Sequence, residues 1–277
     1  DTLIGLLFGL FLSGCLIYIR EFFDKSVKTI EYLDRFNIPL LTVIPAIGKS
    51  YKDRKSKRNR IKRFKLPSPT KNLETIQRRL ITHENPKSPV SEAYRSLRTN
   101  LLYSKTNTID EDKLTIMISS PGPGEGKTTT ILNLAITFAN LGKRTVIIDS
   151  DLRKPVLHKV FDVDKEKGLT HYLCINGTTI DEISKQTEVK NLDVITCGAI
   201  PPNPSELLAS DEMGKLIEDL KGKYDVILFD APPIMAVTDA VVITRLIDQF
   251  ILVLRFGTTI KDSIDHTLTA LKQINFS

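Results

Sequence analysis

Residues 119–129 read Ser-Ser-Pro-Gly-Pro-Gly-Glu-Gly-Lys-Thr-Thr, after the apolar run 114–118 and before a helical pattern. A strand, a glycine-rich turn ending in Gly-Lys-Thr and a helix together make a phosphate-binding loop. Glycine at Gly122, Gly124 and Gly126 lets backbone N–H groups face a polyphosphate with no Cβ in the way. The next helix adds its dipole and its unpaired N-terminal donors. In such a loop Lys127 reaches the outer phosphates and the Thr128 hydroxyl sits on Mg²⁺. Glu125 and Thr129 are the remaining candidates for nucleotide contact. One position departs from the usual spacing, since Pro121 stands where the first glycine belongs. The match is therefore to the Gly-x-Gly-Lys-Thr end. The plainer alternative is a glycine-rich turn that merely joins a strand to a helix.

Two further apolar runs end in aspartate. One reads Thr145-Val-Ile-Ile-Asp149-Ser-Asp151-Leu-Arg153, the other Asp225-Val-Ile-Leu-Phe-Asp230-Ala-Pro-Pro233. In open α/β sheets, ligands bind at the carboxyl ends of strands. A carboxylate there can hold Mg²⁺, directly or through water. Any one of these side chains has a plainer use as a helix N-cap. Three of them beside a phosphate loop favour the ligand reading.

The elements that must position these groups alternate from residue 114 onward. Strand-like runs at 114–119, 145–149, 192–196, 225–230 and 250–255 are β-branched and nearly continuously apolar. That is the pattern of parallel strands covered on both faces. Helical patterns occupy 131–141, stopped by Gly142, then 211–220 and 239–246. Ser88-Pro89 predicts an N-cap and first helical position for a helix running to Tyr103. Val90, Tyr94, Leu97 and Leu101 share its apolar face. Glu92, Arg95 and Arg98 lie roughly opposite, where spacing alone reads as solvated surface with a weak Glu92–Arg95 pair. The fold class is α/β, a doubly wound and mostly parallel P-loop sheet.

The 277 residues carry a net charge of +6, but 49–65 holds ten Lys/Arg against one Asp, so that +9 there leaves −3 elsewhere. The globular part is not basic, which argues against a nucleic-acid partner. Cys15, Cys174 and Cys197 lie far apart and the four histidines show no ligand spacing, so neither a zinc site nor a disulfide frame is expected. Residues 2–19 contain no charge. They just reach the length of a spanning helix, about 20 residues with a range near 17–25. The stretch has no charged start or cleavage site of a signal peptide; a buried core helix is the other reading. Arg20, Lys25, Lys28 and the 49–65 run place the rest of the chain on the cytoplasmic side. The basic run reads as a solvated linker that would be drawn to anionic lipid of the inner leaflet. Residues 26–36 look helical, and 40–44 form a short apolar run. The expected organisation is a transmembrane helix at 1–19, a juxtamembrane segment at 20–48, a basic and proline-rich linker at 49–87, and the P-loop domain at 88–277.

The order Pro-Gly-Glu-Gly-Lys-Thr, then Asp149-Ser-Asp151-Leu-Arg153, then Asp230-Ala-Pro-Pro233 resembles that of bacterial tyrosine kinases. These are fused to, or paired with, membrane proteins of capsule and exopolysaccharide export. The related partition and cell-division ATPases carry a second lysine four residues before Gly126, and that position here is Gly122. The kinases' Asp-x-Asp-x-Arg motif is matched by Asp149, Asp151 and Arg153. Their Asp-Ser/Thr-Pro-Pro motif is matched except at Ala231. Glu92, Arg95 and Arg98 resemble the family's subunit-contact helix, which reverses the solvated-surface reading. The apolar stretch with 27–45 resembles the junction after the last span of a polysaccharide co-polymerase. The resemblance covers nearly the whole chain; the basic linker carries little of it.

What the resemblance implies is a membrane-anchored autokinase that phosphorylates tyrosine from ATP with Mg²⁺. It would work with the polysaccharide polymerisation and export machinery at the bacterial inner membrane, its kinase domain cytoplasmic and assembled with copies of itself in a ring. Lys127, Asp149 and Asp151 are the implied catalytic residues, with Asp149 orienting or deprotonating the acceptor hydroxyl. Thr128, Asp151 and Asp230 are the implied metal set, and Arg153 joins the nucleotide contacts. Phosphoryl transfer is mostly positioning and charge stabilisation, so a sparse site suffices. The family's acceptors form a tyrosine-rich tail, whereas the seven tyrosines here are scattered. The acceptor is then expected beyond this stretch or on another protein. Two rivals remain: a partition-type ATPase that hydrolyses ATP without phosphotyrosine, and a structural chain-length regulator with a degenerate nucleotide domain.

Overall fold

The computed structural model describes residues 9, 11–15, 18, 22, 25–36, 38–46, 80–104, 113–236 and 243–273. Among the described residues, six strands form one sheet: β1 (Leu114–Ser119), β2 (Thr145–Asp149), β3 (Ser184–Gln186), β4 (Leu192–Ile195), β5 (Val226–Asp230) and β6 (Gln249–Leu252). Their order in space is β3-β4-β2-β5-β1-β6. Every neighbouring pair is parallel except β3 with β4. Side chains alternate between two cores, as the two-residue strand period requires. Met117, Val146, Ile148, Ile227 and Phe229 face one core. Ile116, Ile118, Ile147, Val226 and Leu228 face the other.

The expected strands at 114–119 and 145–149 match residue for residue. The last strand stops at Leu252 rather than Arg255, because its neighbour β1 ends at Ser119 and turns into the phosphate loop. β3 has no apolar run to announce it; Ser-Lys-Gln is a short edge strand, and none of its residues is fully buried.

Ten helices are named in chain order: α1 (Glu31–Asp34), α2 (Ile81–Glu84), α3 (Pro89–Tyr103), α4 (Lys127–Asn140), α5 (Leu157–Val160), α6 (Leu169–Cys174), α7 (Ile180–Ile183), α8 (Pro204–Leu208), α9 (Asp211–Lys223) and α10 (Lys261–Gln273). On one side of the sheet, Val90, Tyr94, Leu97 and Leu101 of α3 share a core with Ile131, Leu134, Ala135 and Phe138 of α4. On the other, Met213, Leu216 and Leu220 of α9 share a core with Ile264, Leu268 and Leu271 of α10. α3 starts as its sequence dictates, with Ser88 Oγ accepting from Ser91 N at 3.1 Å and proline at the first position. α4 has no exposed face along its middle: every residue from Thr130 to Ala139 is buried. The sheet covers one side of it, and α2 and α3 cover the other. Its cover is pinned by Asn133, whose Oδ1 accepts from Thr82 N and Thr82 Oγ1, both at 2.9 Å.

The helix expected at 26–36 is confined to α1. Ser26 instead forms an antiparallel bridge with Ile260, and Val27 N donates to Thr259 O at 2.8 Å. That extended path buries Val27 in the core of α9 and α10. The run 40–44 forms no element, but Leu41 and Ile44 pack against the core of α3 and α4. The expected linker is structured at its end, where α2 forms. Of the helix expected at 239–246, residues 239–242 lie outside the described residues; Thr244–Leu246 is a single 3₁₀ turn. Among the described residues no helix is long and apolar enough to cross a membrane. The expected span at 1–19 lies outside the described residues except for 9, 11–15 and 18, and so does the basic run at 49–65.

Candidate functional site

Three adjacent parallel strands deliver the site. Asp149 and Asp230 are register partners at the ends of β2 and β5, and Ile118 of β1 stands opposite Asp230. The chain leaving β1 turns through Gly124 and Gly126, whose φ angles of +79° and +104° suit glycine. Lys127 is the first residue of α4, so the helix N-terminus opens into the loop.

Lys127 Nζ lies 3.4 Å from Asp230 Oδ1 and 3.5 Å from Asp151 Oδ2. Thr128 Oγ1 donates to Asp230 Oδ2 at 2.8 Å. The structure thus gathers Lys127, Thr128, Asp151 and Asp230 into one cluster. Asp230 is fully buried, and burial pushes its carboxyl up while the Lys127 charge and the Thr128 hydroxyl pull it down. Asp151 Oδ1 accepts from Lys154 N at 3.0 Å.

Asp149 is divided between two uses. Its Oδ2 accepts from the N–H groups of Val156 and Leu157, both at 2.9 Å, at the start of α5. The capping alternative is therefore real for this oxygen. Its Oδ1 is buried and has no hydrogen-bond partner among the described residues. Burial above all, then the Asp230 charge, pushes the Asp149 carboxyl up to about 7; the two backbone N–H groups oppose the shift and Asp151 adds to it. An unpaired buried polar atom costs roughly 1–3 kcal/mol. A group that arrives from outside with a proton to share would relieve that cost.

The donor set fits Mg²⁺: a hydroxyl at Thr128 and carboxylates at Asp151 and Asp230 are hard oxygen ligands. Among the described residues, no three of His, Cys, Asp and Glu are grouped to hold a metal by themselves. Mg²⁺ commonly takes one or two carboxylates and fills its other positions with water and phosphate oxygens.

The other expected contacts are placed differently. Glu125 points into the protein, where its Oε2 accepts from Gly122 N at 3.2 Å. Its carboxylate and the Gly122 N–H are thus spent on each other. Thr129 lies in the first turn of α4, its carbonyl accepting from Asn133 Nδ2 at 2.8 Å. Arg153 is exposed on the turn between β2 and α5. On α3, Arg95 pairs with Glu92 and also donates to the Pro86 carbonyl. Arg98 Nη1 donates to the Thr137 carbonyl of α4 at 2.8 Å, and its Nε is buried without a partner among the described residues. Burial, then the Arg95 charge, lowers the Arg98 pKa. Three residues near the loop lie outside the sequence expectations: Asn133, Thr259, and Arg255, whose Nη1 donates to Gly124 O at 3.2 Å. No local motif marks Arg255, because tertiary packing alone brings it to the loop, whereas Asn133 is placed by α4 itself.

A phosphate loop at the end of a parallel strand, flanked by strand-end carboxylates, defines a P-loop nucleotide-binding protein. The family described as AAA domain matches residues 113–275. The tyrosine-protein kinase YwqD of Bacillus subtilis (strain 168) is 41% identical over 196 residues, 71% of this chain and 81% of that protein. The tyrosine-protein kinase etk of Escherichia coli (strain K12) is 32% identical over 273 residues, 99% of this chain and 36% of that protein. The solved kinase domain of Escherichia coli tyrosine kinase ETK superposes with a TM-score of 0.74 at 30% identity, covering 90% of this chain and 91% of that one. The chain belongs to the bacterial tyrosine kinases of the capsule family.

Proposed function

We propose that this chain is an ATP-dependent protein-tyrosine autokinase of capsule or exopolysaccharide synthesis, and that Asp149 is its general base. The half-satisfied Asp149 carries the reading. A tyrosine hydroxyl is a poor nucleophile at neutral pH, and a base with a pKa near 7 serves it best. The buried Oδ1 is free to accept the hydroxyl proton, while the capping bonds to Oδ2 hold the carboxylate still. In the step proposed, the tyrosine oxygen bonds to the terminal phosphorus of ATP, the bond to the ADP oxygen breaks, and the proton passes to Asp149. Lys127 stabilises the charge on the transferring phosphoryl group. Mg²⁺, held by Thr128 and Asp230 with Asp151 beside them, would supply further charge neutralisation. Incubation with ATP, Mg²⁺ and a glutamate–tyrosine copolymer is expected to yield phosphotyrosine. Phosphate release with no phosphotyrosine would instead identify a partition-type ATPase.

The same reading places the chain at the inner membrane, held by the apolar stretch at 1–19, with the kinase domain cytoplasmic and the export machinery as partner. The uncharged stretch at 2–19, with Arg20, Lys25 and Lys28 after it, supports the membrane placement. It also assigns ring contacts between copies to Glu92, Arg95 and Arg98. Glu92 and Arg95 are at the surface, but Arg98 is partly spent on its own α4. Arg95→Ala is therefore expected to shift the protein towards monomer in sedimentation velocity without loss of thermal stability. Arg98→Ala is expected to lower both. An unchanged oligomer in both variants removes the contact role.

A further inference from the structure

We infer that Tyr103 is an acceptor tyrosine of this kinase, phosphorylated by a second copy of the chain. It rests on the autokinase function proposed above and names a substrate side chain for it. A tyrosine can be an acceptor only if its hydroxyl can leave its own surface and enter another active site. The chain has seven tyrosines, and the structure sorts those it describes. Tyr94, Tyr172 and Tyr224 are buried. The Tyr172 hydroxyl donates to Asp219 Oδ2 at 2.5 Å, and the Tyr224 hydroxyl to Asp193 Oδ2 at 2.7 Å. Tyr32 is half-buried, and its hydroxyl donates to Asp265 Oδ1 at 3.0 Å. Tyr18 belongs to the apolar stretch read as the span, and Tyr51 lies outside the described residues. Tyr103 differs from all of these. It is 86% exposed, and among the described residues no hydrogen bond engages its hydroxyl.

α3 presents this residue at its end. Leu101 is anchored in the core, and Gln249 Nε2 holds the last turn by donating to Leu101 O at 3.0 Å and to Ser104 Oγ at 3.1 Å. Tyr103 is the last helical residue and stands outside these anchors. Helix ends open at little cost, so such a residue can be drawn into a site. Its own site is out of reach. Arg98 bonds to the Thr137 carbonyl, ten residues past Lys127 on α4, which is about 15 Å of helix rise. Tyr103 lies beyond Arg98 on α3, at the turn that touches Gln249. Gln249 begins β6, whereas the phosphate loop leaves the sheet beside Leu252 at the other end of that strand. A base must come within about 3.2 Å of the hydroxyl it deprotonates, so the transfer runs between copies. In the step inferred, the Tyr103 oxygen bonds to the terminal phosphorus of ATP held by the other copy. The bond from that phosphorus to the ADP oxygen breaks, and the phenolic proton passes to Asp149 of the copy that holds the nucleotide.

The test mixes the parent chain, ATP and Mg²⁺ with an isotope-labelled Lys127→Met chain that serves only as acceptor. After trypsin digestion, mass spectrometry is expected to find phosphate on Tyr103 in the acceptor's 99–105 peptide. Presenting Tyr172 or Tyr224 breaks a hydrogen bond to a carboxylate, so their occupancy is expected to be at least about tenfold lower. Tyr103→Phe in the acceptor is expected to abolish phosphate on that peptide. The same substitution in the parent chain is expected to leave labelling of the glutamate–tyrosine copolymer within about twofold, as for an exposed position away from the site. The copolymer, run under the same conditions, separates the two claims. If it is labelled while Tyr103 is not, or while Tyr51 alone or the buried tyrosines equally carry phosphate, the acceptor role is overturned and the kinase stands. Phosphate on Tyr103 of the parent chain but never of the acceptor overturns transfer between copies. An unlabelled copolymer with no phosphotyrosine anywhere overturns both. Should Lys127→Met fail to fold, Asp149→Asn takes its place as acceptor and the same outcomes apply.

Discussion

Lys127→Met is expected to reduce phosphotyrosine formation by on the order of 10²–10³ or more, the scale for removing one preorganised charge-stabilising donor. Lys127 is paired with both Asp151 and Asp230, so its ammonium offsets two carboxylates that would otherwise face the incoming phosphates. Removing it affects the free protein as well as the complex. The two carboxylates lose their shared cation, and the fully buried Asp230 is left leaning on the Thr128 hydroxyl. Loss of a buried partner raises the cost of the remaining charge. The nucleotide is then expected to bind more weakly even where chemistry is not measured. The check is radiolabel transfer from ATP to tyrosine, run beside nucleotide titration and a thermal melt. Labelling within about threefold of the parent protein would remove Lys127 from the site.

Asp149→Asn is the second large effect. The amide oxygen can still accept from Val156 and Leu157, so α5 should form and the fold should hold. What is lost is basicity at the unpaired oxygen. A general base contributes about 10²–10⁴ in rate, and the substitution is expected to cost that much in kcat. The parent protein is expected to gain rate as pH rises through about 7, since the Asp149 carboxyl must lose its proton to act. The variant should lose that limb of the profile. Stability runs the other way. Between the ordinary value of 3.8 and about 7, the folded chain keeps a proton that the unfolded chain has lost. This group therefore lowers stability as pH rises across that window and contributes no further change above it. A parental rate profile that is flat from about pH 6 to 8, or an Asn variant with the parental profile, would rule out the base role.

Much of this is legible in the residues. Strands covered on both faces must be apolar throughout, which is why 114–119 and 145–149 can be read to the residue. The site's cluster comes from the same strands, because a parallel sheet brings neighbouring carboxyl ends together. What stays hidden depends on contacts remote in sequence. Gly124 sits in the motif and so looks like a nucleotide contact alone, yet its carbonyl accepts from Arg255, far along the chain. The helix expected at 26–36 gives way to an extended Val27 because burial against α9 and α10 outweighs local pattern. β3 is polar and three residues long, so nothing in its composition separates it from a loop.

The burial of α4 has a further consequence for where the enzyme begins. The AAA match starts at residue 113, but the outer cover of α4 comes from α2 and α3, which precede it. A chain cut at 113 would uncover the part of the core that Val90, Tyr94, Leu97 and Leu101 fill and leave the Asn133 amide without Thr82. Such a patch favours aggregation over autonomous folding. The smallest self-sufficient catalytic unit therefore starts no later than Leu80, and the last part of the expected linker is built into the enzyme.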